Sequence, residues 1–173
     1  LRMICKYSPE KTMSFVKNAR QLQPNTTVRI TESAGVLNAT LYLYLLLNEH
    51  EKACALVKNA LESDLMELGN QTSREIVSFL VEIQDSKDLW LSALSAFQLP
   101  LAANPEKTIP ALVDFIQSIT QAIDDVEVSQ KLVKMVSFLP FSMTKPVFRE
   151  FFNVSEERGR FEAEIRKEID EVQ

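Results

Sequence analysis

A single histidine, His50, limits the catalytic chemistry open to this chain. Any Ser/His/Asp or Cys/His device would have to use it. It stands in a polar turn, Asn48-Glu49-His50-Glu51, and no Gly-rich nucleophile turn occurs anywhere. The expectation is a solvated turn residue. Cys5 and Cys54 lie far apart in apolar-flanked helical contexts and read as reduced core thiols rather than a disulfide. One His and two distant Cys do not suggest a zinc site, which needs several ligands converging. Asp124-Asp125 resembles a carboxylate pair, but adjacent helical positions point apart, so it reads as a helix boundary. The three glycines (35, 69 and 159) are scattered and cannot build a phosphate-cradling loop. No nucleophile, base and stabiliser assemble from these residues. The expectation is a non-catalytic protein with no cofactor and no metal.

The aromatic residues suggest binding rather than reaction. Tyr42 and Tyr44 sit at helical spacing in a leucine run and read as core. With Leu45 and Phe79, Tyr42 is also a candidate lining for the closed apolar cavity that a lipid carrier needs. Phe148, Phe151 and Phe152 form a compact cluster that either plugs the end of a helical array or anchors a partner. Asn-x-Ser/Thr occurs at Asn25, Asn38, Asn70 and Asn153, half of the eight asparagines. That pattern suits glycosylation. It is also common by chance, and Asn25 and Asn70 have a simpler task beside helix starts.

The elements that must position these residues are helices. Gly is rare and β-branched runs are few, both of which favour helix over sheet. Ser8-Pro9-Glu10 starts a helix carrying Met13, Phe15, Val16 and Ala19, with Ser8 as cap. Asn25, Thr26 and Thr27 cap a short helix that ends at Gly35, where Gly supplies a left-handed terminus. Val36 to Leu47 is apolar on nearly every face and should be buried between neighbours. Glu51 to Leu68 places Ala53, Leu56, Val57, Ala60, Leu61, Leu65 and Leu68 at helical spacing. Thr72 to Glu75 reads as a capping box with Thr72 as cap, before Ile76, Phe79, Leu80 and Ile83. A helix from Asp85-Ser86 carries Leu89, Trp90, Ala93, Leu94 and Phe97. The stretch from Gln98 to Lys107, bracketed by Pro100 and Pro105, reads as a linker loop. Helices follow from Lys107 to Ile123 and from Val126 to Leu139, the latter on Val128, Leu132, Val133 and Val136. Pro140 and Pro146 flank an expected turn.

From Ser155 to Gln173 most positions are charged, and Phe161, Ile165, Ile169 and Val172 form a narrow coiled-coil-type seam. This segment and the aromatic cluster supply the candidate partner contacts: Phe148, Phe151, Phe161, Ile165 and Ile169. The fold expected is all-α, a solenoid of about eight to ten helices in stacked antiparallel hairpins. Residues 1–100 hold the first hairpins, 101–154 further hairpins and 155–173 a charged terminal helix.

Bulk charge narrows the partners. The net charge is −5 and no basic run exceeds Arg166-Lys167. That argues against nucleic acid and against a basic membrane-surface helix. The longest apolar stretch, Leu41 to Leu47, is far short of the roughly 20 residues that span a bilayer. The opening LRMICKY reads as mid-helix with no signal peptide, so the chain is expected to be a fragment of a longer protein.

The segment from Tyr7 to Leu61 resembles the helical repeat of clathrin heavy chain and of the vacuolar-sorting tethering subunits, the class C core and its partners. The matching residues are Tyr7-Ser8-Pro9-Glu10, Ala34-Gly35-Val36, Leu41-Tyr42-Leu43-Tyr44 and Glu51-Lys52-Ala53-Cys54-Ala55-Leu56. The family often has Gly in the turn where this chain has Asn48-Glu49. The resemblance implies a non-catalytic cytoplasmic rod within a multiprotein trafficking complex. Other subunits would be its partners and would mediate any contact with endosomal or vacuolar membranes. The alternatives are a helical-repeat scaffold of a nuclear or kinetochore assembly and a helical lipid-carrying domain.

Overall fold

The turns are where this sequence first becomes three-dimensional. In the computed structural model, residues 1–67, 71–83, 87–118, 126–151 and 153 are described, and they contain helices and no strand. The chain divides into two compact units, Leu1–Ala96 and Phe97–Gln173.

In the first unit, α1 (Arg2–Tyr7) leads through a 3-10 turn (Pro9–Lys11) into α2 (Thr12–Asn18). Ser8 precedes the turn as expected, but its hydroxyl makes no capping bond. Pro9 offers no N–H, and the Lys11 N–H is taken by the Ser8 carbonyl at 3.0 Å. The next helix, α3, spans Pro24–Ser33. It begins with Pro24 in the first turn, so Asn25, Thr26 and Thr27 lie inside it rather than capping it. Proline is pre-set for that position because its φ is fixed and its missing N–H would have lacked a partner anyway.

Two matched turns enclose α4 (Leu37–Leu46). After α3, Gly35 takes φ +70°. Its N–H donates to Glu32 O at 3.0 Å, and the Val36 N–H donates to Thr31 O at 3.0 Å. This double bond is the Schellman arrangement, which satisfies carbonyls the helix end would orphan. After α4, Asn48 takes φ +58°. Its N–H donates to Leu45 O at 3.1 Å and the Glu49 N–H to Tyr44 O at 2.8 Å. Asn48 thus does what Gly35 does, because its short polar side chain tolerates the left-handed region.

The helix between those turns packs against α2, α3, α5 and α6. Ala39, Thr40, Leu41, Leu43 and Tyr44 are buried, as the all-round apolar pattern predicts. Each buried leucine contributes on the order of 1.5–3 kcal/mol. In α5 (His50–Met66) the buried positions are Ala53, Val57, Leu61 and Leu65, a stripe at every fourth residue. Next, α6 (Gln71–Ile83) buries Ile76, Phe79 and Leu80. It opens one residue before Thr72, so Thr72 lies within the helix rather than at its cap. Helix boundaries shift this easily because end turns fray. Then α7 (Lys87–Ser95) buries Leu89, Trp90, Ala93 and Leu94. The strongest helix contacts are those of α5 with α7 and α6 and of α4 with α3 and α5, and α2 with α4, α4 with α6 and α1 with α3 meet less extensively.

In the second unit, the expected linker is helical: α8 spans Gln98–Ala103 and α9 spans Pro105–Ser118. Pro100 sits in the first turn of α8, where no donor is needed, and Pro105 opens α9. Pro110 lies further inside α9. After α10 (Val126–Val136), residues 141–151 form α11. The expected turn between Pro140 and Pro146 is therefore part of a helix. Pro110 and Pro146 are both exposed. Each stands five positions into its helix, where the carbonyl it leaves unpaired, Glu106 or Ser142, belongs to an exposed residue. A carbonyl freed at an exposed position can turn to solvent, so the helix tolerates the proline there.

Buried polar atoms in both units are largely threonines that bond back to their own helix. Thr27, Thr40 and Thr108 hydroxyls donate to the carbonyl four residues earlier at 2.8 Å. Asp85-Ser86, Asp124-Asp125, Gly69-Asn70, Phe152 and the whole of 155–173 lie outside the described residues.

Candidate interaction surfaces

His50 opens α5 and is exposed. Cys5 is buried and Cys54 half-buried, and both are free thiols. The Thr12 hydroxyl lies 3.9 Å from Cys5 Sγ. Among the described residues, no three His, Cys, Asp or Glu side chains converge as a metal site would require. No described helix is long and apolar enough to cross a membrane.

The tyrosines of α4 have different surroundings. Tyr44 is buried and its hydroxyl donates to Glu32 Oε1 at 2.8 Å. Lys52 Nζ lies 5.8 Å from the Tyr44 ring centre and 2.8 Å from Glu49 Oε2. Burial, then the hydrogen bond to Glu32 and the Glu32 and Glu49 charges, push the Tyr44 phenol up to about 12. The group ties α3, α4 and α5 together across both left-handed turns. Tyr42 is half-buried beneath Lys17, whose Nζ lies 5.7 Å from its ring centre. Phe79 lines a cleft of about 340 Å³. Its other walls are Met13, Asn38, Arg74, Glu75, Ser78 and Glu82, and neither Tyr42 nor Leu45 is among them. Asn38 Oδ1 is buried there without a partner. That lining is more polar than an apolar lipid tail requires.

The sequence-predicted contact residues divide. Phe148 and Phe151 lie on α11 and are half-buried. Phe161, Ile165 and Ile169 lie outside the described residues. The structure adds two exposed aromatic residues that periodicity did not single out. Phe138 is 59% exposed and Phe141 69% exposed. Phe141 and Phe148 stack with ring centres 6.3 Å apart and planes at 22°. Val147 and Thr144 on the same helix are buried, so α11 is anchored by one face while its aromatic edge meets solvent. Val133 of α10, expected in the core, is 42% exposed, because α10 buries Val128, Leu132, Met135 and Val136 instead.

A groove of about 550 Å³ runs along α1 and α2 in the first unit. Ile4, Phe15 and Ala19 give it apolar walls, and Ser8, Lys11, Ser14 and Asn18 give it polar ones. Met3 and Tyr7 nearby on α1 are 68% and 65% exposed. A running tally of charge would have found this edge in the sequence. Residues 1–31 hold six of the nineteen basic side chains and one of the twenty-four acidic ones.

No protein-family model matches this chain, and no curated protein or solved structure is similar to it.

Proposed function

We propose that this chain is a non-catalytic interaction scaffold, an α-solenoid segment of a vesicle-tethering or coat-related trafficking subunit. The observation that carries the scaffold reading is the order of helix contacts in the first unit. Neighbouring helices meet from α3 through α6, and α2 with α4, α4 with α6 and α5 with α7 meet two places apart, an order that stacked antiparallel hairpins also give. The exposed aromatic edge of the second unit supports it too. Phe138 and the Phe141–Phe148 stack offer the large, rigid side chains that anchor interfaces. The trafficking reading rests on the resemblance of Tyr7–Leu61 to the clathrin-type repeat. The left-handed turns at Gly35 and Asn48 fit the hairpins that such a repeat requires.

The test is affinity purification of the tagged protein from its own cells, wild type beside a Phe138→Ser/Phe141→Ser variant, read by mass spectrometry. The expected result is a set of vacuolar-sorting or coat subunits that the double variant loses. A nuclear or kinetochore set would overturn the trafficking assignment. Retention of the same set by the variant would overturn the aromatic surface.

A further inference from the structure

We propose that the groove along α1 and α2 is a docking site for an acidic amphipathic helix of a partner protein. Its walls combine apolar surface from Ile4, Phe15 and Ala19 with the Lys11 side chain. Ser14, Phe15 and Asn18 repeat at the three- and four-residue spacing of one helix face, so the groove runs along α2 and suits an elongated guest. An amphipathic helix laid in an apolar groove is a standard mode of peptide recognition.

Charge selects the sign of the guest. Arg2, Lys6, Lys11, Lys17 and Arg20 are all exposed on these two helices and their flanks, against one acid, Glu10. None of the five forms an ion pair with a described residue. Of the five, Lys11 lines the groove, and Lys6 and Lys17 lie over the Tyr7 and Tyr42 rings. The other 142 residues carry thirteen basic and twenty-three acidic side chains, so the segment that builds the groove is positive on an acidic chain. Such a local field raises the on-rate for an acidic ligand and disfavours a basic one. The concave shape favours a helix over a flat anionic membrane. The proposal does not rest on the trafficking reading, because the groove and its charge are independent of it.

The experiment titrates the 173-residue chain with a labelled, helix-forming peptide of about 20 residues bearing a leucine seam flanked by glutamates. A control peptide has lysines in place of the glutamates. Fluorescence anisotropy is read at about 50 mM and about 300 mM salt, spanning strong to weak screening. Expected are binding of the acidic peptide alone, weakening with salt, and a loss of about tenfold in Lys11→Glu, which reverses charge at an exposed site. Phe15→Ser tests the apolar wall and should also weaken binding, with circular dichroism confirming that both variants stay helical. Equal binding of the two peptides, or affinity unchanged in both variants, would overturn the proposal. Binding to phosphatidylserine vesicles without binding to the peptide would overturn it in favour of a membrane.

Discussion

Two apolar, aromatic-containing helices of this chain have opposite fates. The tyrosine- and leucine-rich α4 lies among four other helices and buries Leu41 completely. The phenylalanine-rich α11 buries Val147 and Thr144 but leaves Phe141 in solvent. Composition does not separate them, and enclosure does. A helix entered and left through left-handed turns has its neighbours folded back on both sides. A helix entered from Pro140, with no such turn, has one packed face.

That difference can be broken most forcefully at Leu41. Leu41→Ala should cost about 2–5 kcal/mol, read as a lower urea midpoint, because the surrounding helices cannot collapse into the void. A cost under about 1 kcal/mol would mean that α4 is not the enclosed helix described. At the entry turn, Gly35→Ala should cost about 1–2 kcal/mol. A Cβ at Gly35 meets nothing within 4 Å, so the cost is purely conformational and φ +70° is its source. The exit turn sharpens this test. Asn48→Gly should be neutral or stabilising by up to about 1 kcal/mol, because Gly reaches positive φ without strain.

Tyr44 supplies a pH test of the same enclosure. Its phenol, ordinarily at 10.0, is held at about 12 in the folded chain. The folded state therefore keeps the proton more tightly than the unfolded state. The stabilisation is fully present below pH 10 and is lost as pH rises through about 12. Tyr44→Phe should cost about 0.5–1.5 kcal/mol at neutral pH through the lost Glu32 bond. It should also flatten the fall in urea midpoint above pH 10, and an unchanged fall would remove Tyr44 as its cause. The smallest effect belongs to α11. Phe141→Ser should move stability by less than about 0.5 kcal/mol, as exposed substitutions do, leaving any loss of partner binding attributable to the surface itself.

Much of this fold was legible. The apolar faces of α4, α5, α6 and α7 and the glycine terminus of α3 follow from spacing alone, because burial imposes the helical period directly. Prolines misled. Pro100 and Pro105 suggested a loop and Pro146 a turn, yet all three lie in helices, since a proline in a first turn removes no donor the helix needs and one just beyond it frees a carbonyl only at an exposed position. Asn48 was read as a polar turn without its left-handed backbone, because Asn tolerates several conformations where Gly signals one. The basic edge escaped notice because its charges are dispersed over two helices and a turn, with no adjacent run. Phe141 escaped because exposure depends on which neighbours return to cover a residue.

The near-neighbour packing of the first unit has a consequence for how the chain bears load. The extensive contacts among the described helices join those next to one another or two places apart, and none of them ties α1 directly to α7. Tension applied along such a unit is resisted one interface at a time, and each released helix can re-dock on a neighbour already in place. Loop closure between near neighbours costs little entropy, so re-docking is fast. The unit should extend and recoil in small steps rather than rupture as a block.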